Sequence, residues 1–132
     1  MNIKAIHHIA IIAGNYALSK KFYTEILGFT VVRETYREER RSYKLDLAIN
    51  GVYQLELFSF PDVKERPSFP EAKGLRHLAF AVPDIDKGVL ELRSRGIEVE
   101  EVRIDQLTNK RFAFFSDPDG QPLELYEETS GK

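Results

Sequence analysis

Two histidines and two glutamates interrupt apolar stretches of this 132-residue chain: His8, Glu56, His77 and Glu124. A carboxylate buried in an apolar strand without a partner costs on the order of several kcal/mol. A cation is one such partner. Two imidazoles with two carboxylates are a normal ligand set for Zn²⁺, Ni²⁺, Co²⁺, Mn²⁺ or Fe²⁺. The four residues therefore predict a divalent metal site, with the alternative that this face of the protein simply meets solvent.

An internal repeat relates the four residues in pairs. The segment 4–10 aligns with 73–79, which superimposes His8 on His77 at a separation of 69 positions. The segment 54–58 aligns with 122–126, which superimposes Glu56 on Glu124 at a separation of 68 positions. Taken singly, each residue is more commonly a surface or satisfied core residue. Because the repeat matches the two histidines with each other and the two glutamates with each other, the four residues together favour the metal site. The alternative is that the duplication only builds a scaffold.

The hydrophobic periodicity predicts the same elements in each half: one strand, one helix and three further strands. Helices are predicted where apolar residues recur at helical spacing before Gly28 and Gly96, and strands where they alternate. The predicted helices span 16–27 and 84–95, and the predicted strands span 5–13, 29–36, 43–49, 52–60, 75–82, 97–103, 111–115 and 122–126. The one-residue difference between the two separations predicts a single gap in the first helix or its flanks.

Alternation along the strands assigns their side chains to two faces. Both histidines and both glutamates are predicted to share one face. Their apolar neighbours are predicted to lie under the two helices: Ile9, Ile11, Leu55, Leu57, Leu78, Phe80, Leu123 and Leu125. His7 is predicted to point away from His8, as a structural or surface residue.

Composition limits the function. The formal net charge is -2 from 19 basic and 21 acidic residues, which gives no electrostatic reason to expect a nucleic acid or an anionic membrane as partner. The absence of cysteine excludes a disulfide framework, a thiolate metal site and a cysteine nucleophile. The apolar stretch 9–13 is too short for a membrane span or a signal peptide, so we expect a cytoplasmic protein that binds a small molecule.

Several basic or aromatic residues are weaker candidates for contacts to a substrate carboxylate or phosphate. Each of them alone is more commonly an ordinary surface residue. They are Arg37, Arg41, Tyr43, Arg76, Lys110 and Arg111.

The motifs at 8–11, 22–29, 74–80 and 117–125 resemble those of the vicinal oxygen chelate superfamily (glyoxalase, bleomycin resistance, dioxygenase). The resemblance covers about residues 6–126. It implies an α+β fold, in which two βαβββ modules, at about 4–60 and 73–128, form a cupped, eight-stranded mixed sheet with the helices on its outer face. One such domain would span 1–132.

Within the superfamily, the chain is most similar to small bacterial glyoxalase I-like proteins of the YaeR type. The order His8, Glu56, His77, Glu124 matches the glyoxalase I ligands. Epimerase-like members usually carry Gln at the position of Glu56, and extradiol dioxygenases and fosfomycin-resistance enzymes use three protein ligands. Antibiotic-binding members usually lack the ligands. Glu56 is thus the discriminating residue.

The resemblance implies a lyase that isomerises the thiol hemithioacetal of a 2-oxoaldehyde such as methylglyoxal. Its metal (Ni, Co, Zn or Mn) polarises adjacent oxygens and stabilises an enediolate, while Glu124 or Glu56 moves the proton. The repeat does not distinguish between the two glutamates. A homodimer with two sites is expected, with a thiol as cosubstrate. Two alternatives stay open: another metal-dependent enzyme, such as an epimerase, dioxygenase or thiol transferase, and a non-catalytic protein that binds a small molecule.

Overall fold

The computed structural model describes residues 1–128, so the last four residues of the predicted domain lie outside the described part. The chain divides into two units, Met1–Glu65 and Arg66–Lys132. The first unit contains β1 (Ile9–Ile12), α1 (Tyr16–Lys21) continued by a π-helical turn (Phe22–Ile26), β2 (Thr30–Arg37), a 3₁₀ turn (Glu38–Arg40), β3 (Ser42–Ile49) and β4 (Val52–Phe58). The second unit contains β5 (Leu78–Val82), α2 (Ile85–Ser94), β6 (Arg103–Ile104), β7 (Arg111–Ser116) and β8 (Pro122–Glu127).

The two units have the same topology. The strand order is β1-β4-β3-β2 in the first sheet and β5-β8-β7-β6 in the second. In each sheet the first strand pairs in parallel with the last, and the remaining pairs are antiparallel. The α+β class and the two βαβββ modules are thus confirmed, and the eight strands are hydrogen-bonded as two sheets of four.

The extra residue of the first module lies in its helix. Asn15 caps α1 and Asp84 caps α2, each through a side chain that accepts a backbone N–H three residues later. Between cap and terminal glycine, the first helix turns through a π-helical segment in which the N–H of Leu27 donates to the carbonyl of Phe22, 3.0 Å away. A π-turn accommodates one additional residue, whereas α2 is an ordinary α-helix. The π-turn thus accounts for the offset of 69 at the histidines against 68 at the glutamates.

β3 and β4 are joined by the turn Asn50-Gly51, and their register shifts by one residue shortly after it. An unshifted register would set Leu45 opposite Glu56 and mix apolar with acidic side chains on one face. The register instead skips Gln54, as in a β-bulge, so that Glu56 pairs with Asp46. The bulge is therefore what separates an apolar face from a polar one in this sheet.

Each sheet buries its apolar face. In the first unit the buried apolar residues are Ile11, Ala13, Phe22, Tyr23, Leu45, Leu47, Ala48, Leu55 and Leu57. In the second unit they are Ile85, Val89, Leu92, Ala113, Phe115, Leu123 and Leu125. A methyl group added at Gly88 of α2 would lie 3.0 Å from Leu125 Cδ1, so this helix packs closely on β8.

Several strands are shorter than the periodicity predicts. The alternation over 97–103 predicts a strand, whereas only Arg103–Ile104 forms a ladder with β7, preceded by a bond from the N–H of Glu100 to the carbonyl of Phe114. The predicted first strands of both modules also begin too early, since β1 starts at Ile9 and β5 at Leu78. Among residues 1–128, no helix has the length and hydropathy needed to cross a bilayer.

Candidate metal centre

The first unit brings one imidazole to one buried carboxylate. Glu56 lies in β4 between Leu55 and Leu57, and only 6% of it is exposed. His8 directly precedes β1, the parallel neighbour of β4, and its Nε2 lies 3.5 Å from Glu56 Oε2. A polar pair thus occupies the face opposite the apolar core.

The second unit repeats this arrangement. Glu124 lies in β8 and is 7% exposed, and His77 directly precedes β5. His77 Nε2 lies 3.1 Å from Glu124 Oε1. Each module thus places its own histidine beside its own glutamate.

The separations within each pair fit ligands of one ion. Two donor atoms that each lie ~2.1 Å from a transition metal are ~3.0–3.4 Å apart at octahedral or tetrahedral angles. His77 with Glu124 and His8 with Glu56 have nearly these spacings. Two donors alone are too few for a site, and residues 1–128 contain no group of three or more His, Asp or Glu side chains that could hold a metal ion. Each unit presents one such histidine–glutamate pair, His8 with Glu56 and His77 with Glu124, which we call a half-site.

The half-site of the first unit contains further polar groups. The Tyr53 hydroxyl donates to Glu56 Oε2, and the Tyr53 ring stacks on His8. The Lys44 ammonium group lies 2.6 Å from Asp46 Oδ1 and 3.5 Å from Glu56 Oε2. Desolvation, followed by the hydrogen bond to Glu56, raises the pKa of Tyr53 well above its usual value, so its hydroxyl stays a donor.

The half-site of the second unit has an aromatic ring where the first has the carboxylate of Asp46. Phe114 pairs with Glu124 in the ladder as Asp46 pairs with Glu56. Its ring meets His77 edge-on, with ring centroids 5.0 Å apart. The repeat therefore conserves the imidazole and the carboxylate in each half but not their surroundings, and the two glutamates are chemically distinct.

His7 is exposed, as expected of a surface residue, but it does not point away from His8 as the alternation predicts. Because β1 begins only at Ile9, strand alternation does not apply to the two histidines before it. His7 Nδ1 lies 2.9 Å from His8 Nδ1. A neighbour at the second ring nitrogen is what orients a ligating imidazole in many metal sites.

The weaker candidates for substrate contacts are scattered. Tyr43 stacks on Tyr16 of α1, and Arg111 pairs with Asp86 of α2 and with Glu127, so both lie on the helix side of their sheets. These two are on the face away from the glutamates. Lys110 pairs with Glu128, and Arg41 is an exposed, left-handed residue in the turn before β3.

Two other arginines of this group are placed differently. Arg37 donates to Ser42 and lies over the Phe58 ring. Arg76 adjoins a predicted ligand, with one guanidinium nitrogen 3.3 Å from His77 Nδ1. Among the weaker candidates, Arg76 is thus the residue in contact with a predicted ligand.

The family model of the Glyoxalase/Bleomycin resistance protein/Dioxygenase superfamily matches residues 5–125. The chain belongs to this superfamily. Its match covers both half-sites, from the residues before β1 to Leu125 of β8. The resemblance inferred from the sequence motifs is thereby confirmed.

Within this superfamily, YwkD of Bacillus subtilis (strain 168) is 63% identical over 97% of this chain and 100% of its own length. YaeR of Escherichia coli (strain K12) is 61% identical over 97% of this chain and 99% of its own length. Both are described as uncharacterized proteins. The crystal structure of a glyoxalase family protein from Enterococcus faecalis matches with a TM-score of 0.89 and 50% identity, over 96% of this chain and 100% of that one.

Proposed function

We propose that this protein is a metal-dependent, glyoxalase I-like lyase that isomerises the thiol hemithioacetal of a 2-oxoaldehyde such as methylglyoxal. The observation that supports it is the pairing, in each unit, of one imidazole nitrogen with one buried carboxylate oxygen at the spacing of metal ligands. A glyoxalase I from Leishmania major, described as trypanothione-dependent, is 29% identical over 97% of this chain and 89% of that one, with a TM-score of 0.73.

His8, Glu56, His77 and Glu124 would hold a divalent ion, which we propose to be Ni²⁺, Co²⁺, Zn²⁺ or Mn²⁺. When bound, such an ion polarises neighbouring oxygen atoms of a substrate. His7 beside the Nδ1 atom of His8 and the Tyr53 hydroxyl beside Glu56 are suited to orient these two ligands. Since each unit presents only half of the set, we propose that two copies of the chain form a homodimer with two complete sites.

Glu124 is the better candidate for the residue that moves the proton. Glu56 accepts from Tyr53 and lies close to Lys44, which hold its carboxylate in place. In the described part of the chain, Glu124 has one such polar contact, to His77, and an aromatic ring alongside. It would take the proton from the carbon that bears sulfur and return it to the adjacent carbon. Because the reaction is an isomerisation to a 2-hydroxyacyl thioester, no external oxidant is required.

The test begins with metal analysis of the purified protein. The protein is then loaded with Ni²⁺, Co²⁺, Zn²⁺ or Mn²⁺ and assayed with methylglyoxal and several thiols for the 2-hydroxyacyl thioester. We expect activity with at least one pairing, and absence of product with every pairing would overturn the lyase while leaving the metal site standing. Glu124→Gln is expected to lower kcat by a factor of about 10² to 10⁴ while retaining metal. Glu56→Gln, the matched control, is expected to lower kcat less.

A second candidate is transfer of a thiol to another electrophile. The Metallothiol transferase FosB of Staphylococcus epidermidis is 28% identical over 94% of this chain and 84% of its own length. A 2-epi-5-epi-valiolone epimerase from Actinomyces sp. is also 28% identical, over 96% of this chain. To test thiol transfer, the same metal-loaded protein is assayed for consumption of the thiol without aldehyde, using a simple epoxide as electrophile.

A further inference from the structure

His77 lies outside the strand ladder that fixes its neighbours. The ladder between β5 and β8 begins at the pair Leu78 and Leu123, one residue after the histidine. Glu124, by contrast, pairs with Ala79 inside the ladder. The contact of 3.1 Å between His77 and Glu124 therefore requires a further interaction that holds the backbone before β5.

Arg66 makes this interaction. Its half-buried guanidinium group donates to the carbonyls of Leu75 and Arg76, at 3.1 and 3.2 Å. These two residues directly precede His77. The same guanidinium group donates to Gln121 Oε1, 2.8 Å away. One side chain thus joins the residues before β5 to the residue before β8.

Gln121 is itself firmly held. It is 8% exposed, its N–H donates to Asp117 Oδ1 at 3.0 Å, and its carbonyl accepts from the Asp117 N–H at 3.1 Å. β8 begins at the next residue and carries Glu124. Arg66 therefore ties the backbone before one predicted ligand to a buried turn that leads into the strand of the other.

The first unit connects the corresponding elements with a different residue. Tyr53 is the repeat equivalent of Gln121, since the two are separated by the same 68 positions as the two glutamates (121 − 53 = 68). Its ring stacks on His8 while its hydroxyl donates to Glu56. A link between the residue before the first strand and the last strand thus recurs in both half-sites.

The contacts of Arg66 suit a guanidinium group rather than a simple cation. Its acceptors are uncharged oxygens at separate places, and Ser68 Oγ is a fourth, 2.9 Å away. Arginine presents five N–H donors in a rigid planar fork, whereas lysine is a point charge on a flexible stem. The shape of the fork, more than the charge, therefore makes this connection.

We propose that Arg66 is a positioning residue that holds His77 beside Glu124 before any metal binds. The inference deepens the proposed function, on which it rests where it concerns metal affinity. The arrangement of the two side chains is a property of the metal-free chain and is tested separately.

The first test uses metal-free protein and no activity assay. Nuclear Overhauser effects between the rings of His77 and Phe114, whose centroids lie 5.0 Å apart, report the position of the histidine. Those between Phe112 and Tyr126, stacked across β7 and β8, report the sheet itself. We expect the His77 signal to be about threefold weaker or less in both Arg66→Lys and Arg66→Met, with the sheet signal unchanged.

Metal affinity gives the second readout. Chelator competition with Zn²⁺ is expected to show affinity about 10- to 100-fold lower in both variants. Methylguanidinium added to Arg66→Ala is expected to restore the His77 signal and part of the affinity, whereas methylammonium should restore neither. Arg95→Met, which breaks an exposed pair with Glu91 of α2, is the matched control and should behave as the wild type does.

An unchanged His77 signal in both charged-site variants, or its absence from metal-free wild-type protein, would overturn the proposal. Equal loss of the sheet signal, or equal rescue by the two cations, would also overturn it. Gln121→Met, which removes one acceptor and retains Arg66, serves where the Arg66 variants fail to fold and should weaken the same signal. If the wild type binds no metal while the His77 signal depends on Arg66, the proposed metal centre fails and the positioning role is supported.

Discussion

Asp46 and Glu56 face each other across β3 and β4, with the Lys44 ammonium group 2.6 Å from the first carboxylate and 3.5 Å from the second. Both carboxylates are buried, so one ammonium group lies beside two negative charges, and the exposed Arg33 guanidinium is a further cation 3.7 Å from Asp46 Oδ2. Among residues 1–128, no equivalent cluster surrounds Glu124, whose ladder partner is Phe114. This difference underlies the first two predictions.

Lys44→Met is expected to destabilise the metal-free protein by about 2–3 kcal/mol. The change removes the cation nearest to both buried carboxylates and leaves Asp46 only the exposed Arg33 guanidinium, 3.7 Å away. The partial exposure of Lys44 keeps the loss at the lower end for a broken buried pair. Urea unfolding measures it. Lys87→Met, at an exposed position of α2, is the control, with an expected change within about 0.5 kcal/mol. Equal stability of the two variants would show that the cluster contributes nothing.

Tyr53→Phe is expected to weaken metal binding by a factor of about 10 to 100. The variant retains the ring that stacks on His8 but loses the hydroxyl that donates to Glu56, and loss of such an outer partner typically has an effect of this size. Competition with a chelator measures the affinity. Tyr36→Phe removes a hydroxyl elsewhere in the first unit and should leave the affinity unchanged. An unaltered metal affinity in Tyr53→Phe would show that this hydrogen bond does not hold Glu56 in place for the metal.

The proposed homodimer predicts complementation between two inactive variants. His8→Ala/Glu56→Ala destroys one half-site of the chain, and His77→Ala/Glu124→Ala destroys the other. If sites form across two chains, a refolded mixture contains mixed dimers in which one site is intact, and metal binding returns in part. Neither variant alone should bind. No recovery in mixtures that sedimentation shows to contain mixed dimers would indicate sites within single chains.

Glu34 gives a pH-dependent contribution to stability. The hydrogen bonds from Tyr16 and Lys20 lower the pKa of Glu34 below its usual value. A carboxyl with a lowered folded-state pKa stabilises the protein above its unfolded pKa, and this contribution disappears as the pH falls through the folded pKa. Glu34→Gln should therefore lower the free energy of unfolding by up to about 1 kcal/mol at pH 7 and should not change it well below pH 4. Urea unfolding across this range measures it, and a cost independent of pH would contradict this assignment.

Much of the fold is predictable because the hydrophobic pattern is strong. The alternation in β3 and β4 and the terminal glycines of both helices indicate the elements to within a few residues. The repeat relates His8 to His77 and Glu56 to Glu124, whereas the contact between each histidine and the glutamate of its own module is visible only in the structure. A carboxylate at position 56 between two leucines is conspicuous in any sequence, so the four candidate residues are easy to identify, and their role as metal ligands stays a prediction.

The residues around the candidate ligands are harder to predict from the sequence. Strand alternation predicts that Tyr53 shares a face with Leu55, whereas the bulge at Gln54 turns Tyr53 towards Glu56. The sequence does indicate the bulge. With a two-residue turn and no register shift, the leucines of β3 and those of β4 would lie on opposite faces of the sheet. The short β6 is harder to predict, because alternation over 97–103 does not reveal which residues find a partner strand.

Metal content measured on the four single alanine variants at His8, Glu56, His77 and Glu124 tests the central claim most directly. Purified wild-type protein saturated with Ni²⁺ or Zn²⁺ and freed of excess should contain one ion per chain, and Glu91→Ala, at an exposed position of α2, should match it. Each of the four variants should fall well below one ion per chain. Full stoichiometric metal in both Glu56→Ala and His77→Ala would show that the two half-sites do not form one metal site.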